Sequence, residues 1–207
     1  MTMELEQAIR RRRMIRRFQP DAQVPHEVVA RIAELALRAP SAGFSQGWDF
    51  VVLRDPAERE AFWGATTGDG PPDAWLRGVR TAPTLIVCCS DKGSYLRRYA
   101  APDKPWQDQD EAHWPVPYWD IDTGMAAVLM LLVAVDEGLG GLFFGVETDR
   151  QGAVHGALAI PPDRTIIGVI ALGYPDQQQP SGSTRSRRRR PVREVFHSGR
   201  FGTPLQD

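Results

Sequence analysis

The chain has 207 residues, 42% of them apolar, with 25 basic and 26 acidic side chains and a formal charge of −1. That length suits a single domain, residues 1–207, able to bury roughly 70% of its unfolded surface. Near neutrality argues against a nucleic-acid binder or a membrane-surface protein, and Cys88 and Cys89, adjacent in an apolar run, suggest neither a disulfide framework nor a metal-ligand pair.

Residues 4–13 predict a short helix with acids near its start. Pro25 suits a first helical position, and Val28, Val29, Ile32, Leu35 and Ala36 give an amphipathic helix that stops before Pro40. Pro40-Ser41-Ala42-Gly43 reads as a turn into a strand over 48–53. Asp55-Pro56 opens a helix through about Trp63, with the aspartate as its N-cap. A loop rich in Gly, Pro and Asp over 64–72 and a short helix lead to a buried strand over 84–90. Residues 91–119 read as an irregular, aromatic-rich excursion, a candidate lid. Residues 122–137 are a helix, apolar on nearly every face from 125 to 135 and so expected to be buried on all sides. Asp120 and Asp122 read as its caps. Gly138-Leu139-Gly140-Gly141 stops it, and a strand over 142–146, a helix over about 149–158 and a strand over 165–172 follow. Residues 176–188 are a polar, low-complexity loop. Four short strands interspersed with helices give an α+β or α/β fold, with a mixed rather than purely parallel sheet. An apolar leader is not found near the N-terminus, where arginines stand, and the 125–135 run is too short to span a bilayer, so a cytoplasmic protein is expected.

The basic residues are unevenly placed. Arg10, Arg11, Arg12, Arg13, Arg16 and Arg17 form one patch and Arg185, Arg187, Arg188, Arg189, Arg190 and Arg193 another, so twelve of the 25 basic residues sit in two short segments. Planar guanidinium forks suit a phosphate dianion, and six like charges within eight residues repel one another unless an anion joins them. A solvated basic helix end and a basic tail remain the plain alternatives. No histidine has metal-ligand spacing with another His, Cys or carboxylate, and no serine stands in a GxSxG elbow. Gly138-Leu139-Gly140-Gly141 is not a dinucleotide fingerprint, because it follows a helix and Phe occupies position 143. No catalytic set of side chains is visible, as expected where a cofactor carries the electrons.

Four segments in order resemble the FMN-dependent nitroreductase family. Arg12-Arg13-Met14-Ile15-Arg16-Arg17-Phe18 is similar to its RRSxRxF motif, and Ala39-Pro40-Ser41-Ala42-Gly43-Phe44-Ser45-Gln46-Gly47-Trp48 to its APSxxNxQPW turn. Residues 122–144 resemble its apolar core helix with the following GLG and strand. Ala171-Leu172-Gly173-Tyr174-Pro175, with Arg189-Arg190-Pro191-Val192-Arg193-Glu194-Val195, resembles its closing GYP…RxPxxEV pattern. The match spans 5–196. Met14 replaces the motif's serine, Phe44 its asparagine and Gly47 its proline.

The resemblance implies a three-layer α+β fold, a mixed central β-sheet flanked by helices, in an intertwined homodimer with flavin sites at the interface. Arg12, Arg13, Met14 (through its backbone) and Arg16 would hold the FMN phosphate and ribityl chain, joined by Arg187 and Arg189. Pro40, Ser41, Ala42 and Phe44 would reach the ring from the partner subunit, and backbone groups at Phe143 and Gly145 would meet the ring edge. Arg77 and Arg80 fall where ring-edge donors are expected. NAD(P)H would be the co-substrate, and a nitroaromatic, quinone or enone the small-molecule acceptor. Open alternatives are a reductive dehalogenase or flavin-fragmenting relative, a non-catalytic flavin-binding protein, and an arginine-patch module for nucleic acids or other anions.

Overall fold

The computed structural model describes residues 3–68, 70–176 and 188–205, in two compact units, Met1–Gln177 and Gln178–Asp207. The larger unit is built on four strands, β1 (Trp48–Leu53), β2 (Thr84–Ser90), β3 (Gly140–Phe144) and β4 (Thr165–Gly173), in the spatial order β1-β2-β4-β3. All three ladders are antiparallel, which corrects the expected mixed sheet; parallel pairing among the described residues is confined to an isolated bridge between Met14 and Gly141. Neighbouring strands all run in opposite directions, and the helical connection from β2 to β3 crosses over β4, which lies between these two like-directed strands.

Strand β2 is buried at every position. Its residues alternate between faces, as a period of two requires. Leu85, Val87 and Cys89 join Phe62 and Trp63 of α3 (Pro56–Thr66), Val79 of α4 (Ala74–Val79) and Val154 of α7 (Gln151–Leu158) in one core. Ile86 and Cys88 face the other core, with Val29, Ile32 and Ala36 of α2 (His26–Ala36) and Ala127, Met130, Leu131 and Ala134 of α6 (Tyr118–Asp136). Helices thus cover both faces, giving three layers. Both thiols are free and buried, and desolvation raises them above the ordinary range, Cys89 to about 11, which leaves them poor nucleophiles.

Local signals explain the helix ends. Asp55 accepts from Ala57 N–H at 2.8 Å while Glu58 accepts from the Asp55 amide at 3.0 Å, a reciprocal capping box that starts α3. Helix α1 (Leu5–Arg11) is shorter than expected, and α6 stops at Gly138, which takes φ +74°. The excursion over 91–119 is more ordered than its sequence suggests. Asp91 caps α5 (Lys92–Tyr99) through the Ser94 amide, and a single 3-10 turn covers Glu111–His113. Helix α6 begins at Tyr118, so Asp122 lies a full turn inside it and is not a cap. Nor is α6 buried all round: Ile121, Met125 and Val128, at helical spacing, are 41%, 41% and 52% exposed. It is the one helix among the described residues long and apolar enough to cross a membrane, and its other face packs on β2, β3 and β4.

In the smaller unit, the described residues form one helical turn, Val192–Val195, and a bridge between His197 and Pro204.

Candidate functional site

The first patch begins where α1 ends. Arg12 leaves helical geometry with ψ 124°, and the following residues run along the outer edge of β3. There Ile15 N–H donates to Gly141 O at 3.0 Å. The Phe18 amide then donates to Thr81 Oγ1 at 2.8 Å and the Gln19 amide to Tyr174 O at 2.9 Å, so the segment is stitched to the sheet and to the end of α4. Gly78 permits this path: a Cβ there would come within 2.4 Å of the Arg16 carbonyl.

Backbone bonding fixes this segment and leaves its guanidinium groups over. Arg12 Nη1 is buried and has no hydrogen-bond partner among the described residues. An unpaired buried cationic donor is costly unless an anion meets it. Arg13 folds back on the carbonyls of Arg10 and Arg12 (2.7 and 3.2 Å), and Arg16 on that of Met14 (3.1 Å). Arg10 pairs with Glu6 and Arg17 with Asp176, so those two are committed elsewhere. Met14 offers its backbone beside Gly141.

The end of β3 belongs to the same corner. Because the Gly141 carbonyl points to the open edge, strand alternation turns the backbone groups of Phe143 to that edge too. Gly145 follows, exposed, just beyond the strand, which ends earlier than the expected 142–146. The side chains of Phe143 and Phe144 are structural: the first packs among the α2 and α6 residues, and the second stacks on Trp63 at 5.8 Å. The structure therefore lays the segment carrying Arg12, Arg13, Met14 and Arg16 against the open edge of β3, the strand that holds Phe143 and leads to Gly145. Arg77 and Arg80 are spent on the Pro72 carbonyl and on Glu60.

Pro40, Ser41, Ala42 and Phe44 lie elsewhere. Their turn leads into β1, at the far edge of the sheet from β3, and Trp48 pairs with Ser90 at the opposite strand end from the Gly140 pairing. Three strand spacings, about 14 Å, separate β1 from β3. One chain does not unite the two halves.

Side chains hold this turn. Ala42 N–H donates to Asp122 Oδ2 at 2.8 Å, and the Tyr95 hydroxyl donates to the same oxygen at 2.8 Å. Burial, with Asp122 close by, pushes the Tyr95 phenol far above its usual range, so it stays a neutral donor. Arg98 Nε donates to Gly43 O, Gln46 N–H to Ser41 Oγ, and Ser45 Oγ to Ala42 O (3.0, 3.0 and 2.6 Å). Gly47 stands where the motif has proline because Tyr95 fills the space: a Cβ would meet its ring at 2.5 Å. Asp122 and Tyr95 were not singled out as site residues by sequence, and neither carries a motif that could have done so. Beside the turn, Tyr99, Trp106, His113 and Trp114 interlock at centroid distances of 4.6–5.6 Å.

Arg189 is exposed in the smaller unit, where its neighbour Arg190 is tied to Glu194 (2.8 Å to the carbonyl), and Arg187 lies outside the described residues.

The residues present suit a phosphate-bearing cofactor such as FMN. Arg12 supplies a buried cationic donor without a partner among the described residues, and the β3 edge along which its segment runs offers backbone groups.

The model of the Nitroreductase family matches residues 9–174. The chain is 30% identical over 177 residues to a "Putative NADH dehydrogenase/NAD(P)H nitroreductase" of Methanothermobacter thermautotrophicus, covering 84% of this chain and 78% of that one. It is 31% identical over 211 residues to a "4-nitrobenzoate reductase" of a Nocardioides species, covering 87% and 84%. A crystal structure from Desulfovibrio desulfuricans, of "a putative nitroreductase in complex with fmn", matches with a TM-score of 0.71 at 27% identity, over 97% of this chain and 99% of that one.

Proposed function

The chain belongs to the Nitroreductase family, and we propose that it is an FMN-dependent oxidoreductase, a cytoplasmic homodimer that passes electrons from NAD(P)H to a small organic acceptor. The observation that carries this reading is the buried Arg12 Nη1, unpartnered among the described residues, in the segment that runs along the open edge of β3. Bound FMN would supply the two-electron chemistry that links NAD(P)H to the acceptor.

The chain's own residues bind and orient. Arg12, with Arg13 and Arg16 once they swing off their backbone carbonyls, holds the phosphate; each charged hydrogen bond contributes about 1.5–3 kcal/mol. The backbone at Met14, Phe143 and Gly145 sets the ring's register against the sheet edge. Pro40, Ser41, Ala42 and Phe44 close the site from the partner subunit. Two features support that division. The halves of the site sit at opposite sheet edges, and an apolar groove lined by Pro40, Ile121, Gly124, Met125, Val128 and Leu129 lies open beside the turn. A second copy covering it would bury the exposed α6 stripe. Free buried cysteines fit a reducing compartment.

The test is FMN titration of the flavin-free protein, followed by the visible spectrum and by anaerobic bleaching with NAD(P)H. Saturable binding near micromolar FMN with bleaching is expected; a colourless protein would sink the reading. In parallel, Val128→Glu places a charge in the proposed interface, and sedimentation should find it monomeric with FMN binding at least about tenfold weaker.

A further inference from the structure

The Pro40–Gly47 turn does something its own chain does not need. Phe44 has φ +56° and Gln46 φ +48°, in the left-handed region that side chains other than glycine rarely adopt and a bulky ring least of all. The Phe44 ring is also 74% exposed. An asparagine, the residue the motif has here, would suit both the backbone and the solvent better. Yet the turn cannot relax, because Asp122, Arg98, Ser41 and Ser45 tie it at successive residues. A locked, strained backbone holding a phenyl ring out in water gains nothing within the single chain. The ring must therefore serve something that comes to it.

A cation stands beside the same turn. Lys104 Nζ lies 4.8 Å from the centroid of Tyr99, which holds it in place, and 3.4 Å from where a Cβ on Gly43 would sit, one residue before Phe44. No carboxylate among the described residues comes within ion-pair distance of it: the adjacent Asp103 is engaged by Arg98 at 2.7 Å through both oxygens, and the chain's other lysine, Lys92, pairs with Glu111. An exposed apolar ring on the turn and an ammonium without an ion pair beside the same turn complement one class of ligand.

We infer that Phe44 and Lys104 form the acceptor-selecting wall of the site, and that the acceptor they select is a planar aryl compound bearing an anionic substituent such as a carboxylate. The inference rests on the reading above, in which this turn faces the flavin site of the second subunit. Phe44 covers the aromatic ring and keeps water off it, while Lys104 meets the anionic group at the rim. Both are binding residues; neither takes part in electron transfer.

The experiment uses the FMN-loaded dimer without NAD(P)H, so that nothing turns over. 4-Nitrobenzoate and 4-nitrobenzamide, alike in ring and nitro group but different in charge, are titrated by calorimetry and by perturbation of the flavin spectrum. The benzoate should bind at least about tenfold tighter than the benzamide, and Lys104→Met should bring that ratio within roughly threefold. Phe44→Asn should weaken both ligands by a common factor of about five or more, while sedimentation still reports a dimer. Equal affinities in the unmodified protein, or a charge preference that survives Lys104→Met, overturns the inference. So does a Phe44→Asn protein that loses its dimer and not its ligands, since the ring would then be an interface residue. Stopped-flow reduction by NAD(P)H separates one more case: a Lys104→Met defect confined to that step assigns the cation to the reductant and overturns the acceptor role. Failure to take up FMN at all would appear earlier, in the flavin titration, and counts against the broader reading alone.

Discussion

The two halves of the proposed site are built in opposite ways. At the β3 corner, the Arg12–Phe18 segment is fixed by its backbone, through Gly141, Thr81 and Tyr174, and its charged side chains are the surplus. At the β1 corner, the Pro40–Gly47 turn adds to its own backbone bonds a set of side chains that consume its polar groups, and an apolar ring is the surplus. The first half is suited to receive charge and the second to present shape. Neither is a site alone. Each is tolerable only if something supplies what its own chain lacks, an anion in one case and a flat apolar surface in the other.

The comparison breaks most visibly if the turn is not held as described. Asp122→Ala leaves the Tyr95 hydroxyl and the Ala42 amide without their acceptor, at a cost of about 2–4 kcal/mol in urea denaturation of the flavin-free protein. Asp122→Asn keeps one carbonyl acceptor and should lose less. A loss below about 1 kcal/mol for the alanine variant would mean that the turn has other support.

The corresponding change at the other corner should behave in the reverse sense. Arg12→Ala removes a buried donor that has no partner, so the flavin-free protein should be no less stable than the parent. Its FMN affinity, measured by spectral titration, should nevertheless fall at least about tenfold, or about 1.4 kcal/mol. Arg13→Ala should weaken FMN by less, because that guanidinium already spends hydrogen bonds on Arg10 and Arg12. Equal losses in the two variants would show that the patch acts as diffuse charge and not as a directed contact.

How much of this was legible in the sequence depends on whether the signal is local. The fully apolar run of β2, the Asp55-Pro56 cap with Glu58 three residues on, and the glycine stop after α6 each act within a few residues, and each reads directly. Strand direction does not: nothing in a strand of five to nine residues states which neighbour it pairs with, so the antiparallel order was missed. Helix α5 escaped because Gly93 weakens its first turn and its start depends on the Asp91 cap. Asp122 escaped because its importance lies in two donors, Tyr95 and Ala42, distant in sequence. The arginine patch was conspicuous by charge alone, but only the structure separates Arg12, whose Nη1 is buried and unpaired among the described residues, from Arg10 and Arg17, which are paired. Phe44 was visible as a departure from a motif; its left-handed backbone was not.

The smallest predicted effect isolates that strain. A non-glycine residue in the left-handed region costs about 1–2 kcal/mol, and asparagine suffers less because its short polar side chain can bond locally. Phe44→Asn should therefore stabilise the flavin-free protein by about 0.5–1 kcal/mol, raising the midpoint of thermal unfolding by roughly 1–4 °C at this chain length. With FMN and 4-nitrobenzoate bound, the parent regains contacts to the ring that the variant lacks, so the gain should shrink or reverse. The informative quantity is the difference between the two melting shifts. A substitution that merely relieved strain would give the same gain in both states. One that removed a ligand-facing wall gives a gain only while the site is empty, and the β1 corner is then a surface kept strained for what it touches.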